Sequence, residues 1–177
     1  MSTQNALLLS LLNGLIGTFV GAALVWFLTW RKERQERKSV AMALLWEIDD
    51  FYKLSIRNVI RKMRDSKPDD LKLDVKSLTF VRFAVYQGTA DKVGLFEPGL
   101  VQGIVGWYGT AGAYLDTIHD YGQTIERMLA GEHQLRKKAV ALLTQIKEGA
   151  ESFVPITQTV CNGLASLAGA KYTFEVP

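Results

Sequence analysis

The sequence predicts an all-α protein, in which an N-terminal transmembrane helix continues into an antiparallel three-helix bundle with a short extra helix and a small two-stranded ribbon. Three observations carry that expectation. Residues 1–30 contain no Asp, Glu, Lys or Arg, so the formal charge of the chain belongs to residues 31–177. Neither Pro nor Gly interrupts residues 31–65. Beyond Pro98, two long stretches space their apolar residues alternately by three and four, as a buried helix seam does.

The first element is the apolar run from Ala6 to Trp30, 25 residues without a charge. At 1.5 Å per residue it makes about 37 Å of helix, enough to cross a hydrocarbon core of about 30 Å with some tilt. A cleavable signal peptide would need a basic leader and an apolar stretch of only about 7–15 residues, whereas Met1–Asn5 has no charged side chain. Within the run, Asn13, Gly17 and Gly21 recur every four residues and share a face, with Gly17 and Gly21 forming a GxxxG segment. Small residues let two helices approach closely, and an asparagine amide can hydrogen-bond across the pair, so these three are the candidate oligomerisation residues.

The segment 31–38 contains five basic and two acidic residues and carries +3, which equals the net charge of the whole chain. Residues 39–177 are then neutral, and the basic pI of about 9.0 reflects this one segment. A nucleic-acid partner, which would need a basic face on the folded domain, is not expected. Lys and Arg flank only the C-terminal end of the apolar run, which predicts an inner-membrane, single-pass topology with the N-terminus outside and the domain cytoplasmic. Trp26 and Trp30 suit the inner interface, and Arg31, Lys32, Arg34, Arg37 and Lys38 suit anionic inner-leaflet lipids. The expected organisation is an anchor over 1–30, a basic juxtamembrane segment over 31–38 and a cytoplasmic helical domain over 39–177.

The helix is expected to run on to Asp65, with Leu45, Ile48, Tyr52, Ile56, Val59 and Met63 on its core-facing stripe. Lys53, Arg57 and Arg61 form a second stripe, read as a solvated face. Ser66-Lys67-Pro68-Asp69-Asp70 is turn chemistry, and Leu71–Lys76 alternates as a half-exposed strand would. Ser77–Phe83 reads as extended. A short helix follows with Phe83, Tyr86, Ala90 and Val93 on one face, ended by Gly94 in a C′ position. Pro98 suits the first position of the next helix, with Phe96 stapled onto Val101.

That helix carries a seam at Val101, Ile104, Tyr108, Ala111, Leu115, Ile118, Gly122, Ile125 and Leu129. After Ala130-Gly131 the last helix repeats it with Leu135, Ala139, Leu142, Ile146, Gly149, Phe153, Ile156, Val160, Gly163 and Leu167, which predicts an antiparallel hairpin. Gly149 and Gly163 leave room for a bulky neighbour, Pro155 bends the helix, and Tyr172–Val176 alternates again and would pair with Leu71–Lys76. If successive helices leave, approach and leave the membrane, the hairpin faces it. Arg127, Arg136, Lys137 and Lys138 would then form a second lipid-facing basic cluster.

Catalytic chemistry is not evident. His119 and His133 pair with neither Cys161 nor a serine in a nucleophile pattern, and phosphate loops, zinc-spaced cysteines and dinucleotide fingerprints are missing from the sequence. Asp116, His119 and Asp120 share a helix face, yet a second carboxylate and histidine motif on a facing helix, which a di-metal bundle site needs, does not occur. Glu47, Asp49 and Asp50 read as charged flanks of the core stripe. No catalytic residue, cofactor or metal is expected.

The stretch from Phe80-Val81-Arg82-Phe83-Ala84-Val85-Tyr86 through Ala90-Asp91-Lys92-Val93-Gly94-Leu95-Phe96-Glu97-Pro98, with Leu100-Val101 and Trp107-Tyr108, resembles uncharacterised small bacterial single-pass membrane proteins with an N-terminal anchor and a helical cytoplasmic domain. The resemblance implies fold and location and no assigned activity. The expected function is a non-enzymatic scaffold or accessory subunit that self-associates or binds another membrane protein. The alternative is a signalling or transport component whose anchors transmit a change or line a pore, with Asn13 as the one strongly polar side chain in the span.

Overall fold

The computed structural model describes residues 3–65 and 83–175, and all regular structure among them is helical. Helix α1 spans Thr3–Phe51, passes through one π-helical turn at Tyr52–Ile56 and continues as α2 over Arg57–Asp65. Helix α3 covers Ala84–Val93, α4 covers Pro98–Leu129, and a single 3₁₀ turn at His133–Leu135 leads into α5, Arg136–Ala168.

The π turn follows from the spacing of the core stripe. Ile48, Tyr52 and Ile56 are two successive steps of four, which on a 3.6-residue helix turn the stripe by about 80°. A wider turn over those residues takes up the excess and returns Ile56, Val59 and Met63 to the core. All six residues of the predicted stripe are buried.

Helix α5 packs against both α1 and α4. Side chains pair across α4 and α5 in opposite order: Trp107 Nε1 donates to Thr157 Oγ1 at 2.9 Å, and the Tyr114 ring meets that of Phe153 at 5.4 Å. Phe51 joins the layers, with ring centroids 5.4 Å from Phe83, 5.3 Å from Trp107 and 6.4 Å from Phe153. Two predicted glycine contacts are found. A Cβ on Gly149 would lie 3.1 Å from the Tyr114 ring, and one on Gly163 would lie 2.9 Å from Leu100 Cδ1.

The predicted seams are corrected in register. On α4 the buried residues are Ile104, Trp107, Tyr108, Ala111, Tyr114, Ile118, Tyr121 and Thr124, while Leu129 is 80% exposed. On α5, Leu143, Ala150, Thr157, Cys161, Leu164 and Ala165 are buried as well as Ala139, Ile146, Phe153 and Val160, and Ile156 is exposed. A strict three-four seam suits a supercoiled pair; a helix between two neighbours buries a wider stripe at the 3.6 period, which drifts by about 20° per heptad from the heptad pattern. Gly94 is also corrected: it takes right-handed angles, φ −60° and ψ −11°, and the chain closes by Leu95 and Phe96 N–H bonds to Lys92 and Val93 carbonyls, which turns Phe96 into the core.

The hairpin stands at the other end of the domain from the one expected. Leu100 and Gly163 lie beside residues 30–38 of α1, and α4 then runs about 45 Å away from them before Ala130-Gly131, where Gly131 takes φ 108°. The return toward residues 30–38 had already been made before α4 began. Val85 and Tyr86 at the start of α3 bond Glu47, and Lys92 near its end reaches Glu36 at 2.6 Å, so α3 climbs antiparallel to α1.

Residues Leu71–Lys76, and the extended stretch as far as Arg82, lie outside the described residues. The tail, residues 171–175, has no strand partner among the described residues. Tyr172 and Phe174 turn inward onto α1 and the π turn: the Tyr172 hydroxyl donates to Asp49 at 2.7 Å, Phe174 packs on Tyr52 with centroids 4.6 Å apart, and Glu175 pairs with Arg57 at 2.6 Å.

Candidate functional site

Two polar assemblies stand out, one buried and one open. The buried one surrounds Asp49, which is 2% exposed. Its two oxygens accept from Lys53 Nζ at 2.6 Å and from the Tyr172 hydroxyl at 2.7 Å. The bond to Asp49 raises the Lys53 pKa, and burial, reinforced by the bond to Asp49, raises that of Tyr172. Cys161 lies against Tyr172, and burial pushes its thiol up to about 12, so the thiol is protonated and unreactive at neutral pH. Two residues back on α1, Glu47 accepts from the Val85 and Tyr86 N–H groups at 2.7 and 3.1 Å and from the Tyr108 hydroxyl at 2.6 Å. It caps the first turn of α3, whose own N-cap residue Phe83 supplies no side-chain bond. Each carboxylate therefore ties a distant segment to α1.

The open assembly is a cleft of about 590 Å³ where α1 rises past the ends of α4 and α5. One wall is Trp30, Glu33, Arg34, Arg37 and Lys38, one face of α1; the other is Glu97 and Leu100 from the start of α4 and Gly163, Ser166 and Leu167 from the end of α5. Trp30, Arg34 and Lys38 also line an adjoining hollow with Phe27, Arg31 and Gln35. Arg34 sits over the Trp30 ring at 5.5 Å, and Trp30 stacks on Trp26 at 6.5 Å and 15°. Arg37 reaches Glu33 only at 3.9 Å, and Glu36 is drawn away to Lys92. No carboxylate among the described residues lies within ion-pair distance of Arg34 or Lys38. The helix α4 starts here with Pro98 in its first turn, no acidic residue in that turn and no side-chain cap from Glu97.

Arg31 and Lys32 are exposed on α1. A Cβ at Gly17 or Gly21 would meet nothing within 4 Å, so that face is open; Asn13 belongs to α1, and its side chain is not among the described ones. Arg127 pairs with Glu132 at 2.6 Å and, with Arg136, Lys137 and Lys138, lies at the hairpin end, away from the basic segment it was expected to join. Asp116, His119 and Asp120 are exposed, and His119 Nε2 contacts Gln123 at 2.9 Å. No cluster of three or more His, Cys, Asp or Glu placed to hold a metal occurs among the described residues.

Sequence reasoning found the α1 wall of the cleft and missed the other wall, because Leu100, Ser166 and Leu167 are set against α1 only by the fold. Asp49 left a signal: Leu45, Asp49, Tyr52 and Ile56 are spaced by four, three and four, which puts it on the buried stripe. No family model, curated protein or solved structure matches the chain.

Proposed function

We propose that the chain is a non-enzymatic, membrane-anchored helical scaffold or accessory subunit at the cytoplasmic face of a bacterial inner membrane, self-associating or binding another membrane protein through α1. The observation that carries the reading is the unburied apolar half of α1. It is the one described helix long and apolar enough to cross a membrane, and its candidate span has no buried share. Phe19, Leu24, Val25, Trp26 and Leu28 are each more than half exposed, a contiguous surface far beyond what a soluble monomer leaves uncovered. A bilayer covers such a surface on all sides. The positive flank at 31–38 supports the orientation with the domain inside, and the open Gly17 and Gly21 positions support close approach of a second α1.

The test is cross-linking of the full chain in reconstituted vesicles. The reading expects carbonate-resistant membrane association and a cross-linked dimer or hetero-complex that Gly17→Ile with Gly21→Ile abolishes. A monomer unaffected by that double substitution removes self-association. One observation favours the signalling alternative: α1 enters the core without a break, so a tilt of the anchor would reach Glu47 and Asp49 directly.

A further inference from the structure

The cleft at residues 30–38 is not accounted for by anchoring alone. A basic flank on an isolated helix attracts anionic lipid without selecting among headgroups. Here the flank is one wall of a cavity whose 590 Å³ lies within the range of small-ligand pockets. From Trp30 to Lys38 the helix rises about 12 Å, so the cleft begins where the apolar run stops and spans the depth of a headgroup layer, about 5–7 Å per leaflet.

We infer that this cleft holds the headgroup of one anionic, hydroxyl-bearing glycerophospholipid, its phosphate between Arg34 and Lys38 and its acyl chains along Phe27 and Trp30. The inference rests on the reading of α1 as a membrane span.

Charge and apolar surface are placed in the order such a lipid needs. Phe27 and Trp30 form the upper, apolar rim; Arg34 and Lys38 lie one and two turns below on the same face. Stacking on Trp30 holds the Arg34 guanidinium in place while leaving its edge donors free for phosphate. Glu36 is engaged by Lys92 on α3, and the three cations of the cleft wall, Arg34, Arg37 and Lys38, outnumber its two carboxylates, Glu33 and Glu97, by one. The start of α4, which has no acidic residue in its first turn, lines the same space through Glu97 and Leu100. Glu33 and Glu97 on the walls repel a second phosphate and, with Ser166, accept hydrogen bonds from headgroup hydroxyls. A glycerol headgroup meets both requirements, and a choline headgroup brings no donor for the carboxylates.

The test reconstitutes the full chain in vesicles of phosphatidylcholine with phosphatidylglycerol, extracts it in mild detergent and counts retained lipids by native mass spectrometry. Wild type is expected to retain one phosphatidylglycerol. Arg34→Gln with Lys38→Gln lowers retention roughly thirtyfold, as expected from losing two cations near the phosphate. The charge-matched pair Lys137→Gln with Lys138→Gln, at the far end, leaves it unchanged. Matching circular dichroism melts confirm that the variants fold. Equal retention by the cleft variant, an equal loss in the far-end variant, or equal retention of phosphatidylcholine overturns the inference. Displacement of the lipid by millimolar inorganic phosphate also overturns it, since the cleft would then read phosphate alone. Extraction of wild type by carbonate removes the membrane reading itself, a separate failure that is scored before any lipid is counted.

Discussion

The helix that runs through α1, the π turn and α2 has two halves with opposite relations to their surroundings. Between residues 14 and 30 every side chain is exposed, the large apolar ones included, and the helix has no inner face. Between residues 40 and 63 a single stripe is buried almost completely, with Ala41, Leu44, Ile48 and Ile56 at 0% exposure, and the opposite face is polar apart from Trp46 and Leu54. Helix propensity does not distinguish the halves; the placement of their apolar residues does. An element apolar all round takes its stability from a continuous medium, and an amphipathic one takes it from specific neighbours. Substitutions should therefore act on one half without registering in the other.

The sharpest break in the domain half is expected at the aromatic junction. Trp107 is fully buried, packs edge-on against Phe51 at 84°, and satisfies its indole N–H on Thr157. Trp107→Ala removes that volume and leaves the Thr157 hydroxyl without its donor, at a cost of about 3–5 kcal/mol. Thermal melting of the detergent-solubilised chain should fall steeply, while the carbonate-resistant fraction in membranes stays unchanged. A loss of membrane association in this variant would mean that the halves are not independent.

The converse substitution is Val20→Arg. It places a charge near the middle of the apolar run, where insertion costs about 2.5–3.5 kcal/mol. The protein recovered in the membrane fraction should drop, and the melting of the domain should not move, since the packed core begins at Val40. An unshifted membrane fraction would argue that residues 14–30 are covered by protein instead of lipid.

The contrast also explains what was legible in the sequence. The apolar run and the core stripe through Met63 are local properties of one helix, readable from composition and from spacings of three and four. The seams on α4 and α5 were read one residue out at Leu115, Gly122 and Leu142, because a heptad pattern assumes one partner and α5 has two. The place of the hairpin was not readable. It depends on α3 climbing back along α1, which is fixed by Glu47 bonding Val85 and Tyr86 and by Glu36 meeting Lys92, contacts between residues about 40 to 55 apart. The α1 wall of the cleft was visible as a charge cluster; its second wall is a product of that same climb.

The tail offers a finer test, because it joins the domain half through one carboxylate. Tyr172 bonds Asp49, and Phe174 covers Tyr52. Asp49→Asn keeps the shape but loses the charge-assisted bonds to Lys53 and Tyr172, with an expected cost of about 1–3 kcal/mol. The clearest readout is Cys161, which the tail seals. Its thiol, held at about 12 by burial, should react slowly with an alkylating agent at pH 8 in wild type and markedly faster in Asp49→Asn or Tyr172→Ala. The raised thiol pKa also sets a sign: its contribution to stability is complete below the ordinary thiol value near 9.0 and is lost as pH rises toward 12. Unchanged labelling rates would show that the tail does not guard the thiol.

The smallest effect is expected where the two halves meet. Glu36 and Lys92 form an exposed pair at 2.6 Å, so salt screens it and its removal should leave the melting temperature almost unmoved. It is visible instead through titration. The hydrogen bond and charge of Lys92 hold the Glu36 carboxyl below its ordinary value, and Glu36 in turn raises Lys92. A lowered carboxyl contributes stability above the ordinary carboxylate range and loses it as pH falls through the depressed value. In Lys92→Gln the Glu36 carboxyl, followed by NMR at low salt, should titrate at higher pH than in wild type, and the difference should shrink as salt is added. Freed from α3, Glu36 can turn toward the cations of its own segment. The same variant should then weaken anionic-lipid retention slightly, whereas unchanged titration of Glu36 would place α3 elsewhere along α1.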